Sequence, residues 1–251
     1  MTQTGDEAVY VSDWIGSERL THKKAMDTYK ILKIKKSVYE SNAQESQRLR
    51  SKLKEDGIFL LNLMSSPGSG KTMTLVQTIA ALKDELRIGV LEADIDSDVD
   101  ARIVENAGAK AIQLHTGGMC HLDAGMTGQG LAGLGTEGLD LIFLENVGNL
   151  ICTASFDTGA VKNAVILSVP EGDDKPLKYP HMFEVADIVL VNKTDTIAFF
   201  DFDLETFRQR VARVNPKAKI IPISAKTGDG IGDWIDWLRA EVRRWKFRGE
   251  E

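Results

Sequence analysis

The apolar run IFLLNLM (58–64) passes directly into SSPGSGKT (65–72), and this junction constrains the chain more than any other stretch. A short, nearly continuous apolar segment is the mark of a strand buried on both faces. The Gly-rich turn after it ends in a Lys and a hydroxyl residue that open a helix. Small residues at Gly68, Ser69 and Gly70 let backbone N–H groups curl around a phosphate, and the helix N-terminus adds a favourable partial charge. In that geometry Lys71 reaches the β- and γ-phosphates and Thr72 holds Mg²⁺. The usual spacing G-x-x-x-x-G-K-[ST] has Ser65 in place of its first glycine, a substitution small enough to fit.

The rest of the chain repeats the strand signal. Apolar runs recur as IGVLEA (88–93), KAIQLH (110–115), DLIFLENV (140–147), NAVILSV (163–169), DIVLVN (187–192) and AKIIPIS (218–224). Helical patterns separate most of them, at 72–86, 98–107, 121–134, 201–214 and 230–246. Strand and helix in alternation give a mostly parallel sheet covered on both faces, with ligands at the carboxyl ends of the strands. The expected fold class is α/β, a three-layer α/β/α P-loop NTPase. Residues 57–251 form the nucleotide domain, preceded by an N-terminal helical, basic arm over residues 1–56. Residues 1–16 are expected to be loose, with a helix from about 17 to 55 ended by Asp56-Gly57.

Two further patches specify the base. In NKTD (192–195), Asp195 can accept from both N1–H and the exocyclic amine of guanine, a donor pair that adenine lacks. Asn192 would tie this loop to the phosphate loop, and the Lys193 stem would lie along the base. In SAK (224–226), backbone N–H groups of Ser224, Ala225 and Lys226 can face guanine O6. ENVG (145–148) places Glu145 beside the Mg²⁺ corner and a glycine N–H toward the γ-phosphate. EADID (92–96) supplies Asp94 as a second Mg²⁺ or water-positioning carboxylate. Lys71, Asp94 and Glu145 are thus the candidate catalytic groups. Asp96, Asp98 and Asp100 share an acidic loop in which their roles do not separate. Arg102 reads as a helix surface charge rather than an arginine finger.

The chain has two cysteines, Cys120 and Cys152, and Cys120 stands next to His121 in LHTGGMCHLDAG (114–125). Both cysteine loops are expected to leave the carboxyl edge of the sheet. Thiolate and imidazole together suit Zn²⁺ and Ni²⁺. The expected helix start at 121 would lower the Cys120 pKa. Equally, a lone cysteine is often a small buried hydrophobe. Three ligands also fall one short of a closed tetrahedral site, leaving water or a symmetric copy of the chain to complete it. His115, inside or at the end of a strand, is a poor ligand.

Composition narrows the setting. There is no signal-peptide pattern, no apolar run approaching the ~20 residues of a membrane span, and no disulfide framework, so a cytoplasmic protein is expected. The net charge is −6, yet residues 17–54 hold eleven Lys or Arg against four acids. That basic segment reads as a solvated helical face in preference to a nucleic-acid or membrane contact.

With NLMSSPGSGKT, EADIDSDVDA, TGGMCHLDA, LIFLENVGNLICTA, EGDDKPLKYP, VNKTD and PISAKTG in place, the chain resembles the hydrogenase-maturation GTPases of the HypB family. The resemblance covers residues 43 to about 245. CHLDA and ENVGNLIC set it apart from the related urease accessory GTPases, which look like Cys-Pro-His proteins. The resemblance implies GTP hydrolysis and a nickel or zinc site formed by Cys120, His121 and Cys152 at a homodimer interface. It implies a HypA-type nickel chaperone as partner and delivery to the [NiFe]-hydrogenase large-subunit precursor. The N-terminal Cys-rich or His-rich tract of some members is missing from this sequence, which leaves the site in the nucleotide domain. Alternative readings are a GTPase serving another nickel enzyme such as urease, a nucleotide-regulated scaffold with structural cysteines, and a small-molecule kinase.

Overall fold

The computed structural model describes residues 30–33, 42–94 and 99–247. Expectations for residues 1–29, 34–41 and 95–98, including the loose start of the arm and the carboxylates Asp96 and Asp98, lie outside the described residues. So do the side chains of Asp94, Asp100 and Arg102.

In chain order the strands are β1 (Lys30–Lys33), β2 (Phe59–Ser65), β3 (Ile88–Asp94), β4 (Lys110–His115), β5 (Leu141–Glu145), β6 (Lys162–Ser168), β7 (Ile188–Asn192) and β8 (Lys219–Pro222). The α-helices are α1 (Asn42–Glu55), α2 (Lys71–Leu82), α3 (Val99–Ala107), α4 (Ala124–Leu134), α5 (Cys152–Ser155), α6 (Lys175–Lys178), α7 (Pro180–Glu184), α8 (Leu204–Val214) and α9 (Ile231–Phe247). The strands form one sheet in the order β1-β4-β3-β5-β2-β6-β7-β8, and every pairing is parallel. Every strand therefore points its carboxyl end at the same rim, where all the candidate site loops emerge.

Alternate residues of β2 supply two cores. Phe59, Leu61 and Leu63 pack with Leu75 and Ile79 of α2 and Trp234 of α9. Leu60 packs on the other face with Leu53 of α1, Met126 of α4 and Ile142 and Leu144 of β5. Both layers are needed because a parallel sheet is apolar on both sides. The Trp234 indole donates to the Thr78 hydroxyl at 2.8 Å, which fixes α9 to α2. The one polar residue inside IFLLNLM also has a structural task. Buried Asn62 donates to Asn163 Oδ1 at 2.9 Å and accepts from the Asn146 amide at 3.1 Å, so the loop after β5 is braced from the middle of the sheet.

The arm differs from its sequence expectation. Lys30–Lys33 are not helical: they add an edge strand beside β4, with Lys33 opposite His115. Among the described residues of the arm, helix runs over Asn42–Glu55. The segment is rich in Lys, which favours helix and edge strand alike; an unpaired β4 edge supplies the backbone partners that tip it toward strand. The helical remainder, α1, is part of the body. Its Leu53 is 2% exposed, and its Arg50 donates to the Ala160 carbonyl at 2.9 Å and pairs with Asp157.

Leu53→Ala should lower stability by about 2–5 kcal/mol, read from urea unfolding. A cost below about 0.5 kcal/mol, the range of ordinary surface changes, would mean that α1 is a detachable arm.

Candidate functional site

An open cleft of about 520 Å³ lies at the carboxyl rim, lined by the phosphate-loop residues Pro67, Gly68, Gly70, Lys71 and Thr72 together with Glu92 and the loop 145–148. β2 ends at Ser65 and α2 starts at Lys71. Gly70 stands before that helix at φ 93°, and no side chain caps the first turn. The uncapped N–H groups leave the helix N-terminus available to an anion. Any side chain at Gly70 would meet Asn192: a Cβ there would sit 2.4 Å from its amide nitrogen. The Lys71 ammonium donates to the Ser65 hydroxyl at 3.0 Å. Ser65, at the first-glycine position, thus holds the lysine where a phosphate oxygen would take over.

The base-side loop is tied to this cradle. Buried Asn192 donates to the Ser69 carbonyl at 2.9 Å and accepts from the N–H groups of Lys193 (2.8 Å) and Ala225 (3.0 Å). Lys193 adopts φ 63°, the left-handed conformation rare for a residue with a side chain. Its ammonium reaches the Gly68 carbonyl at 2.7 Å, so its stem spans from one loop to the other. Asp195 is exposed, and its Oδ1 accepts from the Ser224 hydroxyl at 2.6 Å, which orients the carboxylate. One expectation changes here. The Ser224 N–H goes to the Asp229 carbonyl at 2.8 Å and the Ala225 N–H to Asn192 rather than being open to a base oxygen, while Lys226 is exposed in the turn that follows.

At the other end of the cleft the Thr72 hydroxyl donates to Glu145 Oε1 at 3.1 Å. Glu92 stands opposite Glu145 in the β3–β5 register, and both are 3% exposed. Glu92 is the site residue that sequence reasoning missed. The period-2 alternation of EADID puts it on the same face as Asp94, but only the strand order reveals that β3 lies next to β5. Hydroxyl and carboxylate oxygens are the donor set for a hard cation such as Mg²⁺. Thr72, Glu145 and Glu92 therefore fit that ion.

The loop after β5 leads from this corner to a thiol. Gly148 packs against Pro67 of the phosphate loop, where an added Cβ would sit 3.1–3.3 Å from proline atoms. Asn149 follows, and its Oδ1 accepts from the N–H groups of Ile151 and Cys152, both at 2.7 Å. Cys152 opens α5 next to Cys120. The hydrogen bond that the Cys152 thiol donates to Cys120, then burial and the charge of Cys120, push the Cys152 thiol up from its ordinary pKa. Both cysteines are partly exposed. The Cys120 sulfur lies 3.9 Å from His121 Nδ1, and the His121 ring stacks on Phe156, just past α5, at 3.6 Å and 10°. The two thiols come together and the imidazole lies alongside, but among the described residues no group of three His, Cys, Asp or Glu side chains is arranged to hold a metal ion. α4 begins at Ala124, capped by Asp123, whose Oδ1 accepts the Met126 N–H at 2.9 Å. Cys120 therefore stands clear of the helix N-terminus, contrary to expectation. The loop continues past 121 because Asp123 is the better cap. His115 ends β4, as read from the sequence.

The sequence and the fold both match known proteins. Residues 59–222 match the family model described as CobW/HypB/UreG, nucleotide-binding domain. The hydrogenase maturation factor HypB of Rhizobium leguminosarum bv. viciae is 40% identical over 245 residues, covering 98% of this chain and 81% of that protein. The chain belongs to the HypB family. Another HypB relative, the hydrogenase/urease maturation factor of Helicobacter hepaticus, is 41% identical over 219 residues, 84% of this chain and 90% of its own. The solved HypB of Helicobacter pylori in complex with nickel superposes with a TM-score of 0.76 at 38% identity, covering 81% of this chain and 95% of that one. The three-layer α/β fold is thus a HypB fold, and no helix among the described residues is long and apolar enough to cross a membrane.

Asn192→Ala removes three hydrogen bonds and leaves buried backbone groups without their partner. It should cost about 1–3 kcal/mol in urea unfolding and weaken GDP binding. Unchanged stability and affinity together would show that the tether is idle.

Proposed function

We propose that this HypB-family chain is a GTP-hydrolysing maturation factor that handles nickel for the large-subunit precursor of a [NiFe]-hydrogenase. In this reading it works in the cytoplasm as a homodimer, receives nickel from a HypA-type chaperone, and needs neither membrane nor nucleic acid. The observation that carries the reading is the short path from Glu145 through Gly148 and Asn149 to Cys152, with Gly148 resting on the phosphate loop.

The roles follow from the contacts. Asp195, set by Ser224, selects guanine. Lys193 lays its stem along the base, and Asn192 holds base loop and phosphate loop in register. Lys71 exchanges Ser65 for the β- and γ-phosphates. Mg²⁺ held by Thr72 and Glu145, with Glu92 or Asp94 as the further carboxylate, would neutralise the charge of the terminal phosphates. Loss of the γ-phosphate removes the partner of the Gly148 N–H, and the loop relaxes. Cys152 then shifts relative to Cys120 and His121. The three are the ligand set for the transported Ni²⁺, or for Zn²⁺, and a second copy of the chain completes the site. Nucleotide state sets metal affinity, and by linkage metal alters nucleotide affinity by the same factor.

A second reading, service to urease, is favoured by the Helicobacter hepaticus relative, whose name carries both enzymes. Loss of hydrogenase activity with urease retained after gene deletion separates the two.

The test is Ni²⁺ and Zn²⁺ titration of the protein with GDP and with a slowly hydrolysed GTP analogue. Affinity should differ by about 5-fold or more, the lower range of allosteric coupling. Equal affinity and stoichiometry would contradict the gating. Cys120→Ala should weaken metal binding by about tenfold or more while GTP affinity holds. Asp195→Asn should weaken GTP binding and relax the preference over ATP; undiminished guanine selectivity would remove Asp195 from its role.

A further inference from the structure

One carboxylate beside the cleft has no part in the chemistry above. Glu171 closes the 3-10 turn Val169–Glu171 that follows β6. β6 runs beside β2 with Ile166 opposite Ser65, so this turn leaves the sheet next to the phosphate loop. Glu171 Oε1 accepts from the Ser168 N–H and the Ser168 hydroxyl, both at 2.8 Å. Its Oε2 accepts from the Ser66 hydroxyl. An ionised carboxylate is an acceptor only, and each of these bonds is charge-assisted. The two oxygens thus join two elements. One is anchored on Ser168, which is 2% exposed at the end of a buried strand. The other holds Ser66, the first residue of the phosphate loop beyond β2.

The neighbouring contacts divide the labour. Asn192 and Lys193 grip the far limb of the loop at Ser69 and Gly68. Glu171 grips the near limb at Ser66. Ser66 is followed by Pro67, the residue against which Gly148 packs. The near limb is therefore the one that faces the glycine assigned to the terminal phosphate.

We propose that Glu171 is a positioning residue for GTP hydrolysis, acting through Ser66 to fix the near limb of the phosphate loop against Gly148. The inference rests on the GTPase reading above. Phosphoryl transfer depends on placement, and a misplacement of about 1 Å can cost roughly a hundredfold in rate. Affinity for the whole nucleotide is spread over the base loop, Lys71 and the helix N-terminus, so it tolerates a loose near limb. Loss of the clasp is therefore a loss of turnover more than of binding.

Single-turnover GTP hydrolysis and fluorescent GTP affinity, measured on the full chain and on Ser66→Ala, Ser66→Thr, Glu171→Gln and the Ser66→Ala/Glu171→Gln double variant, decide the matter. Ser66→Ala and Glu171→Gln should each slow hydrolysis by roughly tenfold with GTP affinity changed less than about threefold. Ser66→Thr, which keeps the hydroxyl, should restore the rate. The double variant should be no slower than the worse single, because both remove one interaction. Unchanged rates in folded, GTP-binding variants would overturn the clasp, as would additive losses or equal losses of affinity and rate. A wild-type chain that binds GTP and never hydrolyses it would overturn the GTPase reading and the clasp with it.

Discussion

The site depends on one hydrogen bond between two elements far apart in sequence, from the Thr72 hydroxyl at the start of α2 to Glu145 at the end of β5. It is possible because β2 and β5 are adjacent, in a register that sets Leu63 beside Glu145. The phosphate-binding helix leaves β2, and the loop to Cys152 leaves β5. In the proposed reading, a shift of the first reaches the second through this contact. Gly148 tightens the link, since a Cβ there would crowd Pro67 at 3.1–3.3 Å.

The thiols sit at the far end of this linkage. Asn149 caps α5 through the N–H groups of Ile151 and Cys152, so Cys152 follows its loop rather than floating on it. Cys120 comes from the loop after β4, a different part of the sheet. His121 is held by stacking on Phe156, which belongs to the Cys152 side. The two cysteine loops are thus packed on each other, yet among the described residues one chain does not gather three His, Cys, Asp or Glu side chains able to hold a metal ion. In the proposed reading, an ion shared between two copies draws its remaining ligands from the second copy.

Much of this was legible in sequence because the physics is local. The runs that became β2 to β8 are continuous and apolar, and KAIQLH matched β4 residue for residue. SSPGSGKT and NKTD stood at strand ends for the same reason, and Asn192 lies where its spacing suggested. The failures are non-local. Lys30–Lys33 form a strand only because β4 offers an open edge. Glu92 belongs to the cleft only because β3 neighbours β5. Glu171 touches Ser66 across 105 positions of sequence. Such contacts depend on strand order, which periodicity does not encode. The late start of α4 is a local miss: Asp123 is a better cap than Cys120 and sets the helix start at Ala124.

The central claim is that the terminal phosphate moves Cys152 through the loop from Glu145. The most direct measurement is the alkylation rate of Cys152 in metal-free protein, with Cys120 replaced by Ser, compared between GDP and a slowly hydrolysed GTP analogue. The account predicts rates that differ severalfold between the two nucleotides, with the difference abolished by Asn149→Ala, which uncouples α5 from the loop. Identical rates in both nucleotide states, with both nucleotides demonstrably bound, would contradict it.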